Sequence, residues 1–126
     1  MSQSVTIDLT VNGEEVSCGV APRETLADFL RTKLELTGTH TGCEMGVCGA
    51  CLVLLDGRVV HSCLMFAVQA AGSTVKTIEG LTEQAVIADL QEAFHQRNAL
   101  QCGFCTPGML MTAHELLSQP RVPTRD

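Results

Sequence analysis

Tryptophan and tyrosine are absent from this chain, and phenylalanine occurs only four times. The core therefore has to be assembled from Val, Leu, Ile, Ala and Met, which the 45% hydrophobic content supplies. Basic residues are scarce: eight Lys and Arg against fourteen Asp and Glu leave a formal charge of −6. That balance argues against nucleic acid or an anionic membrane surface as partner. No apolar run approaches the roughly 20 residues of a membrane-spanning helix. The N-terminus, MSQSVTIDLTV, has no basic start, apolar stretch or twin arginine, so a cytoplasmic location is expected. No Ser-His-Asp set, carboxylate pair or phosphate loop stands out, so no substrate site of its own is expected.

Cysteine, by contrast, is plentiful. Seven is an odd number, which disfavours a disulfide framework. Four fall in GCEMGVCGACLVLLDGRVVHSC, where Cys43, Cys48, Cys51 and Cys63 are spaced C-x4-C-x2-C-x11-C. This spacing is that of a plant-type 2Fe–2S site. Four thiolates around two irons are anionic, so backbone N–H groups have to face the sulfurs. Gly42, Gly46 and Gly49 let the chain curl that closely. Zinc is the competitor, but structural zinc sites use two C-x2-4-C knuckles, and here there is one.

Cys102 and Cys105 form a C-x-x-C pair with two readings. One is a thioredoxin-like redox pair, although that motif follows a strand and this one follows a helical pattern. The other is half of a second cluster site at the positive end of the helix that Pro107 begins. Cys18 is left over, and a small buried thiol is its expected role. His40 precedes Cys43, but four cysteines already fill that site; His61 is expected to point away from Cys63. His95 and His114 read as surface or packing residues, and Met109 and Met111 as core filling.

Val5, Ile7, Leu9 and Val11 alternate with polar residues, Asn12-Gly13 makes a hairpin turn, and Val16 to Val20 returns. Leu26, Phe29, Leu30 and Leu34 give a helical stripe. A second hairpin, Leu52–Leu55 and Arg58–Ser62, turns at Asp56-Gly57. A short helix over Leu64–Ala70 and a strand over Thr74–Ile78 complete an α+β fold of the β-grasp kind. The pattern changes to helical at Glu79-Gly80, which divides the chain into 1–78 and 79–126. In the second part Ile87, Leu90 and Phe94 mark one helix, ending near Asn98. Thr106 caps the next, which runs from Pro107 to about Ser118 and stops before Pro120. Two such helices are too little for a core of their own and need a surface to pack on.

GCEMGVCGACLVLLDG, the SC at Cys63, IEGL near Ile78 and ALQCGFCTPGMLM together resemble the iron–sulfur subunit of the molybdenum hydroxylase family, the xanthine dehydrogenase, aldehyde oxidase and carbon monoxide dehydrogenase group. The likeness runs from about Val5 to Leu117. It implies a ferredoxin-like domain whose 2Fe–2S cluster is held by Cys43, Cys48, Cys51 and Cys63. It also implies a helical domain in which Cys102 and Cys105 begin a second 2Fe–2S site and Gln101 lies near a molybdopterin. The partners implied are an FAD-binding medium subunit and a molybdopterin-binding large subunit, and the role is electron transfer between them. Members of that group continue into further helices and a C-x-C pair. A truncation at Asp126 is therefore expected, with the helical domain reduced to about two helices. A stand-alone 2Fe–2S ferredoxin is the alternative, and a zinc-binding interaction module a further one.

Overall fold

The computed structural model describes residues 4–83, 87–99 and 101–118. The alternating N-terminal segment forms strands β1 (Val5–Val11) and β2 (Glu14–Val20), paired antiparallel with Ile7 opposite Cys18. Asn12 and Gly13 turn the hairpin with φ of 52° and 84°, the left-handed backbone of an Asn-Gly turn. Helix α1 starts at Leu26, where the Thr25 hydroxyl accepts from the Asp28 N–H at 3.1 Å. After Asp28 it widens into a π-helical turn, Phe29–Lys33, closed by Leu34 N–H donating to Phe29 O. The second hairpin is β3 (Leu52–Leu55) and β4 (Arg58–His61), turned at Asp56-Gly57. Strand β5 (Thr74–Lys76) enters between the hairpins, parallel to β1 and antiparallel to β3. The order β2-β1-β5-β3-β4 gives one mixed five-stranded sheet, the expected β-grasp arrangement.

Several expectations are corrected. Leu64–Ala70 is two 3₁₀ turns, Ser62–Leu64 and Ala67–Ala70, because Met65 and Phe66 between them are extended. Met65 O accepts from Leu26 N–H, and Phe66 bridges Thr25, so pairing with the start of α1 interrupts the helix. β5 stops at Lys76 rather than Ile78. The helical part holds three helices among the described residues instead of two: α2 (Ile78–Glu83), α3 (Ala88–Gln96) and α4 (Thr106–Leu117). Thr106 does not cap α4; Cys105 occupies the cap position without a side-chain bond, while Pro107 sits in the first turn as expected. The stop before Pro120 and the truncation at Asp126 lie outside the described residues.

Two apolar cores share the sheet. One face carries Ile7, Leu9, Val11, Val53 and Val75 against Leu26, Phe29 and Leu30. The other joins Leu54 to Leu81, Ile87, Leu110 and Met111. Successive residues of β3 thus enter opposite cores, which is why LVLL is apolar throughout and does not alternate. α4 crosses this second face so closely that a Cβ on Gly108 would strike the carbonyl of Gly49. Cys18 is half-buried against the first core.

Candidate metal centre

Between α1 and β3 the chain has no regular structure, and its shape follows from where its N–H groups point. Gly46 and Gly49 adopt φ of 79° and 74°, and even Glu44 is left-handed at 54°. This curl turns three N–H groups onto one sulfur: Met45, Val47 and Cys48 lie 3.4, 3.2 and 3.2 Å from Cys43 Sγ. Ala50 N–H lies 3.5 Å from Cys48 Sγ. Gly42 has a different role from the expected one. Its φ is not left-handed; it is small because Cys48 Sγ lies 3.2 Å and the Phe104 ring 3.4 Å from where a Cβ would stand.

Ser62, which sequence reasoning missed, brings the fourth cysteine in. Buried at the end of β4, its hydroxyl donates to Cys51 O at 2.6 Å, holding the next residue, Cys63, beside Cys51. His61 Nδ1 lies 3.9 Å from Cys51 Sγ, so this ring borders the site through Cys51. The structure thus brings Cys43, Cys48, Cys51 and Cys63 into one neighbourhood. The N–H groups of Cys48, Met45 and Val47 favour the charged form of Cys43 and lower its pKa to about 6. Burial, followed by the neighbouring Cys51 thiol, pushes Cys63 up to about 11. A sulfur that accepts three backbone N–H groups is arranged to carry negative charge, which fits a thiolate holding an anionic cluster. Among the described residues no three His, Cys, Asp or Glu side chains stand close enough to hold a single metal ion.

Cys102 and Cys105 are exposed on the bend that leads into α4, with Gly103 at φ 83°. Cys105 Sγ donates to Met109 Sδ at 3.6 Å; Met109 is 48% exposed and is not core, whereas Met111 is fully buried as expected. Gln101 is exposed on the same bend. The two groups of cysteines are brought together: Cys48 and Cys105 line one apolar cavity of about 400 Å³, with Gly49, Leu52, Gly108 and Met109. His40 stacks on Phe104 with ring centroids 4.6 Å apart. Sequence reading gave no signal for this pair, whose residues are 64 positions apart. A larger cavity, about 650 Å³, lies under α2 between Val11, Leu34 and Ile78 and holds no cysteine.

Residues 9–88 match the 2Fe-2S iron-sulfur cluster binding domain, and residues 77–126 match the [2Fe-2S] binding domain. The chain is 56% identical over 109 residues to the caffeine dehydrogenase subunit gamma of Pseudomonas sp. (strain CBB1), spanning 86% of this chain and 65% of that one. It is 51% identical over 125 residues to the nicotine 6-hydroxylase small subunit of Paenarthrobacter nicotinovorans, 99% of this chain and 75% of the relative. Among solved structures, quinoline 2-oxidoreductase from Pseudomonas putida 86 superposes with a TM-score of 0.91 at 48% identity, covering 98% of this chain and 76% of that one. The chain thus spans about two thirds to three quarters of the length of these relatives.

Proposed function

Because the chain belongs to the small iron–sulfur subunits of the molybdenum hydroxylase family, we propose that it relays single electrons between a molybdopterin-binding large subunit and an FAD-binding medium subunit. Its residues 1–78 form the ferredoxin-like unit, in which Cys43, Cys48, Cys51 and Cys63 hold one 2Fe–2S cluster. Residues 79–126 form the helical unit, in which Cys102 and Cys105 supply part of a second ligand set. A bound 2Fe–2S cluster supplies one reversible single-electron step. The protein's part is to set the charge around it. The three N–H groups on Cys43 Sγ are the observation that carries this reading, since a neutral thiol has no use for three donors.

Gln101, on the bend at the second pair, faces the molybdopterin subunit in this reading. The complex works in the cytoplasm. Substrate is oxidised on another chain, and the names of the relatives, from caffeine and nicotine to quinoline, favour a nitrogen heterocycle.

The test is the co-expressed complex, purified anaerobically and assayed for iron, acid-labile sulfide and visible bands. Cys43→Ser should lose one cluster's signal and keep the other, and Cys102→Ser the reverse. A colourless chain carrying stoichiometric zinc would sink the proposal. A solitary brown monomer that binds neither partner would instead make it a free carrier.

A further inference from the structure

The loops that carry the two groups of cysteines touch at His40 and Phe104. The His40 side chain meets Phe104 in two ways: the rings stack 17° from parallel, and Nδ1 lies 2.6 Å from Phe104 O. A carbonyl oxygen only accepts, so Nδ1 carries the proton and donates it. His40 is itself a fixed platform. Its N–H donates to Ala50 O at 3.1 Å, and Arg31 Nη1 donates to the carbonyls of Thr37 and Thr39 at 2.9 and 2.8 Å. The opposite side is less well held. Cys102, Phe104 and Cys105 are all exposed, so burial does little to fix the bend that bears them. The Phe104 ring edge and Cys48 Sγ flank Gly42 at contact range, which makes Cys48, Gly42, Phe104 and Cys105 one continuous series of contacts.

We infer that His40 is a positioning residue: it locks the Cys102–Cys105 bend onto the first cysteine loop and so fixes the gap that an electron crosses between the two cluster sites. The inference rests on the two-cluster reading above. Electron transfer through protein falls steeply with distance, so a bend that swings on its exposed side slows the relay even when both clusters are intact. The contact is an N–H donor on one loop and a carbonyl on the other, which makes the role separable from ligation.

The experiment uses the intact complex with three substitutions. His40→Phe keeps a stacked ring and removes the donor, His40→Ala removes both, and His40→Asn returns an amide N–H where Nδ1–H stood. Iron content and each cluster's own EPR signal should be unchanged. In His40→Phe the Thr106 amide, which donates to Gly103 O within the bend, should exchange about fivefold faster, the usual worth of one hydrogen bond. In His40→Ala the increase should be larger, because the stacking is lost too. Rapid-freeze EPR after a single substrate addition should show slower equilibration between the clusters in both, with recovery in His40→Asn. Wild-type exchange and wild-type equilibration in His40→Phe and His40→Ala would overturn the inference. If His40→Ala loses iron, the Phe and Asn variants decide. A wild-type complex with one cluster only removes the electron path by overturning the two-cluster reading, and is recognised because it needs no variant at all.

Discussion

Asn12 does two jobs with one side chain. Its left-handed backbone turns the first hairpin, while its amide clamps Thr77: Nδ2 donates to Thr77 Oγ1 and Oδ1 accepts from Thr77 N–H, both at 2.9 Å. Thr77 is fully buried, so its N–H and hydroxyl depend on this partner, while its carbonyl accepts from Leu81 N–H. Asn12→Gly keeps the turn and removes the clamp. The expected loss is about 1–3 kcal/mol in denaturant unfolding of the iron-loaded chain. Asn12→Asp, which keeps the acceptor alone, should fall between; equal stability of Asn12→Gly and wild type would mean that the clamp contributes nothing. The turn was legible in the sequence because Asn-Gly acts locally, but the clamp was not, since its partner lies 65 residues away. The same distinction holds at the cysteines. The first four could be grouped because ligand spacing is a local pattern. Ser62 and His40 gain their roles only from what folding places beside them, and the space under Gly42 is set in part by Phe104 from the other end of the chain.

At the scale of elements, a single carboxylate ties α4 to the sheet edge in addition to its apolar packing. β4 is an edge strand with outward N–H groups, and Glu115 Oε2 accepts from the Val59 N–H at 2.8 Å. This contact satisfies one N–H of the sheet edge and anchors the last turn of α4 to it. Glu115→Ala should cost about 1.5–3 kcal/mol, the range for a hydrogen bond to a charged group. Glu115→Gln keeps an oxygen acceptor and should recover much of it. A Glu115→Ala chain with an unchanged denaturation midpoint would show that α4 is held by apolar packing alone. Elements governed by their own periodicity were readable, as both hairpins and α3 are. Those governed by tertiary contacts were not. The local pattern of Met65 and Phe66 is helical, but pairing with the start of α1 extends them; that of Thr74–Ile78 is a strand, but the Asn12 clamp takes Thr77 out of it.

For the whole molecule, the question is whether the helical part folds with the sheet or merely rests on it. Helical periodicity alone left open whether the sheet, further chain or a partner would cover α3 and α4. The structure answers with β3, whose alternate residues feed both cores: Val53 enters the first, and Leu54 enters the second with Leu110 and Met111. A strand shared in this way couples the two halves, since unseating α4 exposes Leu54, while opening the first core moves the strand on which α4 lies. Met111 is fully buried, so Met111→Ala should cost about 2–5 kcal/mol. If the coupling holds, far-UV ellipticity and cluster absorption, followed at one scan rate, should fall together in wild type and remain coincident, shifted lower, in the variant. Val53→Ala, on the opposite face of the same strand, should move the same single transition. Two separated transitions in Met111→Ala, with helical signal lost before the first cluster's absorption, would show instead that the helices melt independently. The Cys102–Cys105 bend would then be positioned only while its partners hold it.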